Sequence, residues 1–279
     1  MTTTGDPLND GLRSSSPHFD IRDFTRTAQG NFRSEIDLAA YETHPLDQRT
    51  LSILRYMTRL EAATMEHLRN LLVTATHKDA RVTAFLVTWA FEKFWIADAL
   101  DSVLEAHGLD RTKTIPEGDP RRSVSDAVER RGPIRRAIIA VGLGAPIVAV
   151  HMVTGLVDEW ILRAAYDRIR ATTPNEALQE TITKVQTIKK RHEAFFADET
   201  DWRLRDSARA VRQTKAALAT AVWPIGAVER AATDRDLFES YVFGGPEGSA
   251  AADAIGEQVA ALPGLDRRIG QVTARKLLP

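Results

Sequence analysis

Apolar residues recur every three or four positions in four stretches of this 279-residue chain, and a polar side chain interrupts each stripe near its middle. Leu54, Met57, Glu61, Met65, Leu68 and Leu72 fall on one face of a helix, and Phe85, Trp89, Glu92, Ile96, Ala99 and Val103 on one face of a second. Met152, Gly155, Glu159, Leu162, Tyr166 and Ile169 mark a third, and Leu178, Ile182, Val185, Lys189, His192 and Phe196 a fourth. The spacing predicts core helices over about 48–74, 79–107, 145–171 and 174–200, paired as antiparallel hairpins in an all-α protein. Thirty-one residues separate Glu61 from Glu92 and 30 separate Glu159 from Lys189, so each hairpin brings its polar sites to one depth. A lone charge facing a core costs several kcal/mol unless it is paired or holds a metal, so four such interruptions at matched depth predict that the charges meet. Arg191 and Glu193, beside His192, read as solvated charges.

The remaining sequence is arranged around these helices. Residues 1–18 hold Thr, Ser, Gly, Pro and Asp with no apolar run; they are expected to form a disordered tail and do not resemble a signal peptide. Residues 19–47 carry Phe19, Phe24, Phe32 and Tyr41 and are expected to pack on the bundle as an N-terminal arm. The bundle itself is expected to span 48–243. Within it, 108–122 reads as a polar loop, 123–131 as a short helix stopped by Gly132-Pro133, and 204–222 as a further helix. Gly244-Gly245-Pro246-Glu247-Gly248 reads as a linker, so that 244–279 comprises this linker and a helical hairpin turning at Pro263-Gly264.

Composition narrows the function classes. With 27% charged and 43% hydrophobic residues, the chain can build one large or two small domains. A formal net charge of −1 provides no general attraction to nucleic acid, and the absence of cysteine excludes disulfides, thiolate nucleophiles and Cys-ligated metals. A cytoplasmic location is the expectation. The 21 residues 137–157 contain no charge and are long enough to span a bilayer, but Pro146 and the glycines at 142, 144 and 155 interrupt them. A buried helix with a break near 142–146 is the expected form, and membrane association through 137–157 is the alternative. No Gly-rich phosphate loop or Ser-His-Asp signature is present.

The polar interruptions carry a resemblance. Glu61, then Glu92-Lys93-Phe94-Trp95, then Glu159, then Lys189-Lys190-Arg191-His192 resembles the repeated Glu, Glu-x-x-His pattern of the ferritin-like diiron carboxylate superfamily. That superfamily includes rubrerythrins, ribonucleotide reductase small subunits and acyl carrier protein desaturases. The resemblance covers roughly residues 48–226, and Arg191-His192, Phe195-Phe196 and Trp223-Pro224-Ile225-Gly226 are also similar to actinobacterial ferritin-like proteins. It implies a ferritin-like four-helix bundle with additional N- and C-terminal helices. Two of six ligand positions depart from the pattern: Trp95 stands where a His is expected and Lys189 where a Glu is expected.

Those departures imply a degraded site, because an ammonium in contact range repels a metal ion. Lys189 is expected to replace the metal, pairing with Glu92 and also with Glu61 or Glu159, while Trp95 fills the volume of the missing imidazole. Three carboxylates against one ammonium give a formal charge of −2. No metal is expected; the fallback is one Fe or Mn ion on Glu92, Glu159 and His192. Two functions follow. One is a metal-free bundle acting as a binding or partner subunit, as a homo-oligomer or with a ferritin-like paralogue. The other is a ferritin-like non-heme oxidoreductase or oxygenase acting on a small or acyl substrate, with Tyr166 and Trp89 as redox candidates.

Overall fold

Several helices begin where the sequence supplies a side-chain cap for unpaired N–H groups. A computed structural model of the protein describes residues 18–109, 144–227 and 232–279. Within these, α1 (Ile21–Arg26), α2 (Ala40–Thr43), α3 (Gln48–Ala62), α4 (Thr64–Leu72) and α5 (Ala80–Ala106) precede α6 (Ile147–Thr172) and α7 (Glu176–Arg205). They are followed by α8 (Ala208–Thr220), α9 (Ala232–Val242), α10 (Gly245–Ala261) and α11 (Arg267–Arg275). Among the described residues there is no strand, so the chain is all-α as expected. Asp47 caps α3 at Arg49 and Thr50, Asp79 caps α5 at Val82, Asn175 caps α7 at Leu178, and Ser207 and Asp266 cap α8 and α11.

Contacts between the long helices run in opposite directions along the chain. Gly155 meets Phe196, Glu159 meets Lys189, and Asp167 accepts a hydrogen bond from Gln186, so α6 and α7 are antiparallel. Leu46 meets His107 and Glu61 meets Lys93, so α3 and α5 are antiparallel as well. Every residue of the predicted α5, α6 and α7 stripes is buried. The Phe85 and Phe195 rings stack at 3.7 Å between α5 and α7.

The first predicted stripe is corrected. Instead of one helix over 48–74, the chain breaks at Ala63 into α3 and α4, and the break turns the second half about its axis. Met65 is therefore exposed and Leu71 is buried in place of Leu72. The predicted 204–222 helix begins at Ala208 because α7 runs on to Arg205. The predicted linker is corrected too: Gly245 to Gly248 form the first turn of α10, with Pro246 where its missing N–H costs nothing. The hairpin of α10 and α11 is present, and Gly256 and Gly270 let its two backbones touch. The predicted 1–18 tail up to residue 17, most of the 108–122 loop, the 123–131 helix and residues 137–143 lie outside the described residues. The rest of the 137–157 run forms the start of α6 after Gly144 and Pro146. Among the described residues no helix is long and apolar enough to cross a membrane.

The arm of residues 19–47 packs as expected, with Phe24, Phe32 and Tyr41 buried. It is also held by polar contacts. The Phe19 N–H donates to Asp198, the Phe19 carbonyl accepts from Arg81, and the Gln29 N–H donates to Glu92 at 2.7 Å.

Gly155 sets the spacing of α6 against α7. A Cβ there would lie 2.4 Å from Cε1 of Phe196, whose ring is held edge-on by Phe85 at 5.0 Å and Trp89 at 5.6 Å. Gly155→Ala should therefore lower stability by about 1–3 kcal/mol despite the better helix propensity of alanine. Urea unfolding measures this, and an unchanged or higher midpoint would show that the Phe196 ring can move aside.

Candidate functional site

The polar interruptions of α3, α5, α6 and α7 meet in the core. Glu61, Glu92, Glu159, Lys189 and His192 are all buried, and direct contacts link them in two groups. In the first, the Lys189 ammonium lies 3.1 Å from Glu61 and 2.8 Å from Glu159. Glu61 also pairs with Lys93 at 3.0 Å and accepts the Tyr166 hydroxyl at 2.8 Å, while Glu159 accepts the Trp89 indole N–H at 3.0 Å. The redox candidates Tyr166 and Trp89 are thus hydrogen-bonded to the cluster. In the second group, His192 Nε2 is 2.7 Å from Glu92, which also takes the Gln29 N–H and an ion pair from Arg191. His192 Nδ1 lies 3.8 Å from Glu159 and joins the two groups.

Three expectations are corrected. Among the described residues no ion pair joins Lys189 to Glu92: Lys189 bridges Glu61 and Glu159, and Glu92 is matched by Arg191 and His192. Arg191 and Glu193 are not merely solvated. Arg191 reaches under the arm to Glu92 and to the Thr27 hydroxyl, and Glu193 takes both Arg163 and the Trp160 indole N–H. The formal charge of −2 is revised as well. Lys93 and Arg191 join Lys189, so three cations face Glu61, Glu92 and Glu159, and these six side chains sum to zero, with Asp158 a fourth carboxyl beside them. Trp95 is partly buried, with its ring edge-on to Phe91 at 6.2 Å and Phe94 at 5.1 Å. Among the described residues it makes no hydrogen bond or ion pair to these five, and its indole nitrogen is buried without a partner.

The pattern of proton affinities follows from this pairing. Burial opposes ionisation of Glu61 and Glu159, but Lys189 and Lys93 outweigh it. Glu61 is held below the usual carboxylate range, and Glu159, with His192 contributing, is pulled to about 2. Burial likewise opposes the Lys189 charge, yet Glu159 and Glu61 raise its ammonium above the ordinary lysine value. Burial and Glu61 push the Tyr166 hydroxyl up, so it stays a donor.

Sequence reasoning missed four residues: Lys93, Arg191, Asp158 and His67. Asp158 is buried beside Glu159 and accepts the Ile225 N–H at 2.7 Å, which ties residues 223–226 to α6. Burial, opposed by Lys93 and Ile225, raises its carboxyl to about 6. His67 stands edge-on to Trp89, its ring centroid 6.4 Å away, and burial with Lys93 nearby lowers it to about 4. Asp158 directly follows the uncharged run 137–157, and no periodic signal in the sequence sets it apart from Glu159.

The arrangement does not fit a metal. Glu61 and Glu159 already hold Lys189 between them. The two imidazole nitrogens of His192 point to different carboxylates, so one ion cannot take His192, Glu92 and Glu159 together as placed. Among the described residues no group of three or more His, Asp or Glu is arranged to hold a metal ion. Comparison with known proteins found no matching family model, no matching curated protein and no matching solved structure.

Two outcomes follow. Lys189→Met should cost about 3–5 kcal/mol in urea unfolding, because Glu61 and Glu159 keep their burial and lose their bridge. A loss below 1 kcal/mol would mean that Lys93 alone carries both carboxylates. The second outcome concerns pH. The folded carboxyl of Asp158, at about 6, lies above its ordinary 3.8, so its contribution is present at low pH and is lost as pH rises through 6. Asp158→Asn keeps an acceptor for Ile225. Relative to the parent it should gain up to about 3 kcal/mol between pH 4 and pH 7.5, and a gain that is flat with pH contradicts the shift.

Proposed function

We propose that this chain is a ferritin-like bundle whose diiron site has been replaced by an internal ion-pair cluster, and that it acts as a metal-free binding or partner subunit. The observation that carries this reading is the Lys189 ammonium lying between Glu61 and Glu159. In the ferritin-like pattern those carboxylates serve metal ions, and here a fixed side-chain cation serves them. The pairing of Glu61, Glu92 and Glu159 with Lys93, Lys189 and Arg191 supports the same reading, since each of these carboxylates already has a side-chain cation. The partner is a further copy of the chain or a ferritin-like paralogue, and Val87, Phe91 and Phe94, exposed on α5, support such an association.

A ferritin-like oxidoreductase remains the second reading, favoured by the hydrogen bonds from Tyr166 and Trp89 to cluster carboxylates. Redox chemistry on that plan needs an electron acceptor at the carboxylates, and Lys189 stands there.

Metal analysis of protein produced with iron or manganese in excess decides between them. The expected content is well below one equivalent of either metal. Lys189→Ala, which empties the position between Glu61 and Glu159, should acquire Mn(II) binding, seen as a rise in thermal midpoint with added Mn(II) that the parent does not show. Stoichiometric iron in the parent, lost on Glu159→Ala, would overturn the metal-free reading.

A further inference from the structure

Beside the cluster, a pocket of about 60 Å³ opens between α4, α5, α6 and the 223–226 segment, and none of Glu61, Glu92, Glu159, Lys189 or His192 lines it. Three charged residues do, Lys93, Asp158 and Glu66, and of these Lys93 and Asp158 are buried. Lys93, 2% exposed, spends one contact on Glu61 and rests over the Trp89 ring at 5.0 Å, which leaves two of its three N–H groups for other partners. Asp158, 5% exposed, accepts the Ile225 N–H at one oxygen, and among the described residues no hydrogen bond reaches the other. Among the described residues no ion pair joins Lys93 to Asp158. The pocket therefore presents an unspent donor and an unspent acceptor on separate walls.

Trp89, Leu162 and Ile225 supply apolar surface around these two groups. Thr64, Glu66, His67 and Asn70 are the other polar residues that line the space. Leaving buried polar atoms unmatched costs about 1–3 kcal/mol each, so the fitting ligand is small and offers both an acceptor and a donor. A carboxylate ligand would satisfy Lys93 but face Asp158; an alkylammonium would satisfy Asp158 but face Lys93. A neutral group with a carbonyl and an N–H on one carbon meets both.

We propose that this pocket binds a small primary carboxamide, its carbonyl accepting from the Lys93 ammonium and its amino group donating to Asp158, with its alkyl part against Trp89 and Leu162. This deepens the binding role proposed above by naming a ligand class, and it depends on that role but not on the metal content. Finding iron would overturn the metal-free reading and leave this site untouched.

The test is a titration of the full-length protein, by calorimetry and by ligand-observed magnetic resonance, with propionamide, propionate and propylamine, which share a three-carbon chain and differ in the donors, acceptors and charge at its end. Propionamide should bind saturably at one site, and each of the other two at least about tenfold more weakly. Asp158→Asn, which keeps the shape and the Ile225 contact but turns the free acceptor into a donor, should weaken propionamide at least about tenfold and strengthen propionate. The proposal is overturned if none of the three binds saturably, if propionate or propylamine binds the parent as well as propionamide, or if Asp158→Asn leaves the order of the three unchanged.

Discussion

The interaction on which the rest of the structure depends is the Lys189 ammonium held between Glu61 and Glu159. It joins α7 to α3 and α6, and Lys93 adds α5 through Glu61, so helices from both hairpins share one set of charges. Removing two charges from water is costly, and such a cluster stabilises little compared with apolar side chains of equal volume. What it does impose is register. A slip of one turn moves a side chain about 5.4 Å along the helix, which strands at least one buried charge without a partner. Apolar stripes alone tolerate such a slip far better, because Leu, Ile and Val replace one another at modest cost.

Two features keep the cluster in this form. Gly155 lets the Phe196 ring lie flat against α6 and fixes how closely α6 and α7 approach at the depth of Glu159 and His192. The N-terminal arm closes the other end. The Gln29 N–H and Arg191, which is itself held at Thr27, both converge on Glu92 and shield it from water. Phe24 lies edge-on to His192 at 6.1 Å, so the imidazole meets apolar surface on that side. The arm is thus part of the electrostatic balance as well as of the packing.

Much of this was legible in the sequence because a helix turns apolar periodicity into a face. All residues assigned to the α5, α6 and α7 stripes are buried, and the five polar positions singled out by interrupting a stripe come together. The failures have physical reasons. Ala63 is neither proline nor glycine, so nothing local signalled the break that turns Met65 outward. Lys93 and Arg191 each sit one position off a stripe residue, about 100° around the helix, where periodicity assigns a residue to the solvent side. Their long stems reach back to the buried carboxylates, and backbone phase does not predict that reach. Trp95 was placed by motif alignment, and its ring lies against Phe91 and Phe94 on the flank of α5 instead.

Lys93 links the cluster and the neighbouring pocket in one side chain. Its charge offsets Glu61 on one side and acts on Asp158 and His67 on the other, lowering the proton affinity of each while burial pushes Asp158 the opposite way. A group serving two environments cannot be optimised for either alone. If Lys93 served only as a counter-ion, its remaining N–H groups would be expected to face carbonyls or carboxylates of the core, as buried ammonium groups do. They face a space bounded by Asp158, Trp89 and His67 instead. The pairing of the cluster therefore leaves, one residue along α5 from Glu92, a polar pocket that it does not fill.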